Sequence, residues 1–200
     1  MSYLTYIPWG EDVKMNVKGT VFLTGKVAIV ANFGEVSWST FNANLAKKDQ
    51  YFNNIIMPIT QIPVDKFAFF LDELIKEFFN NDVKSYLMFG KVAAKFALSQ
   101  GGPYYTYLMS NDLKYVVESV IPKLWTTYFD DGILTARIEN NVVHIKISGI
   151  PFKHIYFEYI IAGYVQKGMK MFGKKAAETC VRGFSKGDDD IYYQYEIKNL

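Results

Sequence analysis

The sequence predicts an α+β fold: a helical N-terminal part packed with a four-stranded antiparallel sheet, whose two hairpins flank one long central helix. Three observations lead there. Within Pro151–Phe172, nearly every residue from Ile155 to Val165 is apolar or aromatic, and the exception is Glu158. A helix that is apolar all round is buried all round. Residues 63–79 and 83–99 repeat their apolar positions at helical spacing, whereas 133–148 and 191–198 alternate with period two.

Residues 1–17 hold Tyr3, Leu4, Tyr6, Ile7 and Trp9 without a helical period. They read as an N-terminal arm, either docked or loosely ordered. Residues 18–200 then form a single domain. Gly19–Phe33 is rich in Val, Ile and Thr, which favour strand, but keeps helical spacing at Phe22, Leu23, Val27, Val30 and Phe33; we read it as a helix because Gly34 suits a helix stop. Ser37–Lys47 follows as a helix with Ser37 as its cap and Trp38, Phe41 and Leu45 on one stripe. After a connector over Asp49–Ile62, Pro63 sits in the first turn of an amphipathic helix ending at Phe79. Val64, Phe67, Leu71, Leu74, Ile75 and Phe78 share its inner face. Their burial is worth at most roughly 10–15 kcal/mol. Ordering the backbone costs about 1–2 kcal/mol per residue, so this helix needs a partner surface.

Asp82 caps the next helix, Val83–Ser99, whose stripe includes Gly90, Ala93, Ala94 and Ala97. Small residues there permit close approach by another helix. Gly101-Gly102-Pro103 ends it, and Tyr104, Tyr105 and Tyr107 form an aromatic cluster. A helix beginning at Ser110 or Asp112 must kink or break at Pro122, which cannot donate to the Glu118 carbonyl. Ile133–Glu139 and Val142–Ser148 make a hairpin around Asn140-Asn141, a pair that tolerates positive φ. The central helix follows, with Gly163 and Gly168 as places where another backbone could come close and Gly173 as its stop. Ala176–Arg182 and Ile191–Lys198 form the second hairpin across the polar loop Gly183–Asp190.

Composition narrows the function classes. Half of the 200 residues are hydrophobic, with 16 Phe and 15 Tyr, which requires a folded core rather than disorder. The net charge of +2 comes from mixed charges and leaves no footprint for nucleic acid. One cysteine excludes an internal disulfide and any zinc site built on several cysteines. Trp9, Glu11 and Asp12 interrupt any signal-like start, and no apolar run reaches the ~20 residues of a membrane span, so we expect a cytoplasmic protein.

The glycine pattern Ala162-Gly163…Gly168…Gly173 ahead of a hairpin resembles a superfamily. It groups the 4-vinyl reductase domains, the haem nitric-oxide-binding domains and the Bet3-like transport-particle subunits. The stretch AGYVQKGMKMFGKKAAETCVRGFSKGDDDIYYQYEI is similar to the 4-vinyl reductase ending, and KGTVF to the opening of the haem domains. With Phe89-Gly90-Lys91 and Ile121-Pro122…Trp125, the whole chain looks most like an uncharacterised myxobacterial-type family. The resemblance covers about residues 18–198. It implies a non-enzymatic ligand-binding or signalling domain, a homodimer, with an apolar small molecule as ligand. The alternative it implies is a Bet3-like protein–protein interaction module with no internal ligand. The haem domains carry Tyr-x-Ser-x-Arg and a proximal histidine. This chain has no such motif, and its Val83–Ser99 helix has no histidine. The cysteines of the reductase domains reduce here to Cys180. We therefore expect no haem and no zinc.

The candidate ligand-binding residues are Glu158, His154, Tyr159, Trp125 and Arg137. A carboxylate inside an apolar helix loses hydration. Glu158 is thus a pocket acid, a latch to Arg137 or Lys146, or a helix-edge residue reaching water. His154, beside Lys153, could hold an anion or simply face solvent. Tyr104, Tyr105, Tyr107, Trp125, Phe129, Tyr156 and Tyr159 suit an apolar pocket and equally a dry core. A nucleophile would need Cys180 beside His144 or His154. Asp188-Asp189-Asp190 lacks the alternation of a calcium loop and reads as a solvated turn.

Overall fold

The central helix occupies the position its composition demands. In a computed structural model that describes residues 14–109 and 112–198, no residue from Ile155 to Met169 is exposed. This helix, α8 (Ile155–Met171), runs between the two hairpins of a four-stranded antiparallel sheet. The strands are β3 (Ile133–Glu139), β4 (Val142–Ser148), β5 (Lys175–Arg182) and β6 (Ile191–Lys198), in the spatial order β3-β4-β6-β5. The β3–β4 turn uses Asn140 and Asn141 at φ 49° and 64°, the left-handed pair that matches strand twist. Register places Leu134, Ile147 and Ile191 in one row and Ile145 beside Tyr193. Ile191, Tyr193, Tyr195 and Ile197 are all buried on the inner face.

The N-terminal helices build the other half of the core. A small sheet pairs β1 (Asn16–Lys18) with β2 (Gln61–Pro63), and Asn16 donates to Asp130 from its backbone and its side chain. Met15 and Val17 are buried, so the inner end of the expected arm docks on the body; residues 1–13 lie outside the described residues. Next come α1 (Gly19–Phe33), α2 (Glu35–Lys48) and α3 (Val64–Phe79). Phe70 on α3 meets Phe22 of α1 at a centroid distance of 4.4 Å and Phe41 of α2 at 6.1 Å. Two expected helix starts move. α2 begins at Glu35, because Gly34 at φ 88° turns the chain directly into it, and Ser37 instead bonds back to the Phe33 carbonyl. Pro63 closes β2 and caps α3 from outside rather than sitting in its first turn.

Asp82 accepts from the Lys84 N–H at the head of a 3₁₀ turn that leads into α4 (Tyr86–Leu98). α5 (Tyr105–Met109) and α6 (Leu113–Tyr115) follow. From α6 the chain runs through a π turn, Val116–Val120, into α7 (Ile121–Tyr128). The expected break at Pro122 is met this way: the wider turn absorbs the missing N–H, and Pro122 falls in the first turn of α7.

α4 and α8 cross with their main chains in contact. A Cβ at Gly163 would lie 2.1 Å from the Leu87 carbonyl oxygen, and one at Gly90 would lie 2.2 Å from that of Ile160. Backbone rests on backbone here, and only glycine on both helices allows it. Gly168, expected to serve the same purpose, does not: its Cβ would meet only Leu98 Cδ1, at 3.7 Å. We predict that Gly90→Ala and Gly163→Ala each cost about 3 kcal/mol or more in denaturant unfolding. Gly168→Ala should leave stability unchanged or raise it by up to about 1 kcal/mol through helix propensity. Equal losses at all three positions would refute the glycine crossing.

Candidate functional site

Two features of α8 carry polar or ligand-accessible chemistry. The first is a cavity of about 80 Å³ between α1, α3, α4, α7 and α8, walled by residues such as Gly25, Phe70, Phe89, Trp125, Ile161 and Tyr164. Phe96, which is 66% exposed, also belongs to its wall and marks the solvent side. Several polar atoms of the wall are already engaged. Thr20 Oγ1 donates to the Pro58 carbonyl (3.0 Å), Thr24 Oγ1 to Thr20 (2.9 Å), and Trp125 Nε1 to Asp131 (2.9 Å). Tyr128, Tyr156 and Tyr164 supply the phenols. Burial pushes Tyr128 up to about 12 and raises Tyr156 and Tyr164 as well, so all three stay protonated near neutrality. The Tyr164 hydroxyl is buried and has no hydrogen-bond partner among the described residues.

The second feature is the carboxylate of Glu158, which is 2% exposed. It accepts from the Ser185 backbone N–H (2.9 Å) and from the Ser185 hydroxyl (2.6 Å), while Cys180 Sγ lies 3.9 Å away. Gly183 leaves room for it: a Cβ there would stand 2.6 Å from Glu158 Oε2. Since Gly183 has extended φ (−173°), space rather than backbone conformation selects glycine. Glu158 therefore ties the β5–β6 loop to α8. The salt-bridge latch expected to Arg137 or Lys146 does not form, and Glu158 is held by the uncharged Ser185 instead. Arg137 pairs with Glu139 on the outer face of β3, and Lys146 pairs with Asp190. Ser185 escaped the sequence reading because nothing in a polar loop marks which hydroxyl folds back onto a helix.

The other candidates separate. Trp125 lines the cavity; Tyr159 is half-buried and does not, and burial followed by the Glu158 charge raises its phenol. His154 is an N-cap: Nδ1 accepts from the Tyr156 N–H at 3.2 Å, and Nε2 faces Asp72 at 3.1 Å. His144 bonds to Tyr192 at 2.7 Å. Neither histidine meets Cys180, whose thiol is pushed up by burial and then by Glu158. The acidic run is divided among partners, with Asp188 on the Gly183 N–H, Asp189 on Lys153, and Asp190 on Arg182 and Lys146. Among the described residues, no three His, Cys, Asp or Glu side chains gather as a metal site. No helix there is long and apolar enough to cross a membrane.

Neither a protein-family model nor a curated protein matches the chain. Solved structures do. An H-NOX protein from S. oneidensis in its Fe(II)NO state aligns over 91% of this chain and 99% of its own, at TM-score 0.68 and 14% identity. An unliganded Fe(II) H-NOX protein from K. algicida aligns over 92% and 97%, at TM-score 0.65 and 10% identity. A Cs H-NOX mutant aligns over 91% and 97%, at TM-score 0.65 and 16% identity. At these identities the likeness shows the fold, which is H-NOX-like.

The cavity wall does not fit haem. Haem iron takes His, Cys, Met or Tyr as axial ligand. The wall has none of the first three, and its phenols resist ionisation. It also has no Lys or Arg to meet the haem carboxylates. At about 80 Å³ it is far smaller than the roughly 300–1,000 Å³ of sites for drug-sized ligands.

The Glu158 latch yields a prediction. Glu158→Ala and Gly183→Ala should each cost about 1–3 kcal/mol, the first by stripping Ser185 of its acceptor and the second by pushing the carboxylate off it. The double variant should fall short of the sum by at least about 1 kcal/mol. Strict additivity in urea unfolding would show that the two residues do not act on one contact.

Proposed function

We propose that this chain is a non-enzymatic ligand-binding or signalling domain that takes a small apolar molecule and uses no haem. The observation that supports it is the cavity on α8, whose wall combines aliphatic and aromatic side chains with no ionised group. A charged ligand would lose hydration there without compensation. A neutral apolar one gains about 25 cal/mol for each Å² removed from water. The H-NOX-like fold supports a sensing role by analogy, since solved neighbours are described in Fe(II) and Fe(II)NO states. Catalysis has no support here, because Cys180, His144 and His154 each engage a different partner away from the cavity. The test is direct. Purified protein mixed with hemin and passed through a desalting column should emerge without a Soret band. Xenon, which is small enough for this space, should bind saturably and raise the melting temperature. Stoichiometric haem retention would overturn this reading.

The resemblance also implies self-association, and one loop favours it. Ile55, Met57 and Ile59 are 87%, 54% and 78% exposed within a short stretch anchored to α1 by the Thr20–Pro58 bonds. Apolar residues grouped on a surface mark contact sites. We propose a second copy of the chain as the occupant. Light scattering should then show a dimer that Ile55→Asp with Ile59→Asp converts to monomer. A wild-type monomer at high concentration would remove both the dimer and the Bet3-like alternative. A dimer without probe binding would favour that alternative.

A further inference from the structure

We infer that the outer face of the sheet carries a second binding site, a cleft for one small phosphoryl oxyanion, either inorganic phosphate or a phosphomonoester. The inference is independent of the apolar cavity on α8. The cleft has a volume of about 270 Å³ and is lined by Thr135, Ala136 and Arg137 of β3, His144 and Lys146 of β4, and Tyr192 of β6. Its lining holds three nitrogen-bearing side chains and, among the described residues, no carboxylate. Strand register sets them side by side. Arg137 stands opposite His144, and Lys146 lies between Thr135 and Tyr192. Side chains opposed in this way on one sheet face are about 4.5–5.5 Å apart at Cβ. The strand beneath them is fixed, because Val143, Ile145 and Ile147 are fully buried on its inner face.

Each of the three keeps donors to spare. Arg137 meets Glu139 through Nε at 3.3 Å, and both side chains are more than half exposed, so the pair contributes little and opens readily. Among the described residues its Nη atoms make no hydrogen bond. Lys146 lies 3.0 Å from Asp190, which Arg182 also holds, and an ammonium has three donors. His144 is aimed by a relay: Gln194 Nε2 donates to the Tyr192 oxygen at 2.8 Å, and that phenol stands 2.7 Å from His144 Nδ1. We assign the phenol proton to the second bond, which leaves the imidazole its own proton on Nε2. The two rings lie nearly parallel, at 18°. A phosphoryl group has three terminal oxygens, enough for the guanidinium fork, the imidazole and the ammonium together. A carboxylate has two and leaves donors idle. Glu139 and Asp190 balance Arg137 and Lys146 beyond about 10 Å, so a polyanion gains nothing and a compact anion that reaches the donors does.

Amide NMR titration of the full chain at constant ionic strength tests this, with inorganic phosphate, methyl phosphate and acetate as probes. Phosphate or methyl phosphate should shift the β3, β4 and β6 amides around Arg137, His144 and Tyr192 saturably, and the tighter of the two identifies the free anion or the monoester as the ligand. Acetate should bind at least about three-fold more weakly. Arg137→Gln should weaken the phosphoryl probe by about ten-fold or more, and His144→Phe by about three-fold or more. Lys91→Gln removes an exposed charge on α4 and should leave binding within about two-fold of wild type. The amide spectra themselves report whether each variant is folded. Shifts that never saturate, or equal losses from Arg137→Gln and Lys91→Gln, would reduce the effect to general attraction of anions and overturn the site. Acetate binding as tightly as phosphate would overturn the phosphoryl assignment, and unchanged affinity in His144→Phe would overturn the relay.

Discussion

The fold depends on the backbone contact between α4 and α8 at Gly90 and Gly163. Two helices whose main chains touch leave no room for side chains between them. Each must then place its larger residues to either side of the crossing. On α8 this sends Tyr156, Phe157 and Ile161 into the core and Tyr164 toward the wall of the cavity. The cavity lies beside the crossing, with Phe89 and Ala93 of α4 on one side and Ile160 and Tyr164 of α8 on the other. Protein interiors are close-packed, so a small apolar cavity beside this contact is a departure that its wall residues leave open.

The same helix carries the buried charge. Glu158 follows Phe157, which packs on Phe129 and Trp125, so its carboxylate is held where water is scarce. Serving as acceptor for two donors of Ser185 satisfies it without a counter-ion. The arrangement joins the β5–β6 loop to the hub and binds the second hairpin to α8 at two levels, through the apolar inner face of β6 and through this polar tie. A carboxylate in an apolar run is thus explained by structure, and the cavity, on the other side of the helix hub, keeps no ionised group.

How much of this was legible depended on how local the signal is. Burial of α8 could be read from Ile155–Val165, apolar or aromatic apart from Glu158, and the Asn140-Asn141 turn from two residues that accept positive φ. Ile191–Lys198 matched its strand to the residue, because strict alternation leaves no choice of face. The β1–β2 sheet was not legible: three-residue strands carry no period and form only because distant segments meet. Arg137 was misjudged as a partner for Glu158 although alternation places it opposite Ala136, on the outer face, where it pairs with Glu139. Tyr164 shows the limit on the site. Its sequence neighbourhood suits a core aromatic, and only the packing of α4, α7 and α8 leaves its hydroxyl unmatched.

Fold and chemistry separate in this chain, and the reason is physical. The H-NOX-like architecture needs helices that cross closely, a hairpin on each side of a long helix, and an inner sheet face that stays apolar; glycine placement and alternation supply all three here. Holding a porphyrin makes separate demands: a donor for iron, cations for carboxylates, and volume. These rest on a few wall positions that the fold does not constrain. In this chain those positions hold aliphatic and aromatic residues, and the space beside the crossing has no charged side chain in its wall. The apolar character of the cavity beside the α4–α8 contact thus comes from its wall residues and not from the fold that places them.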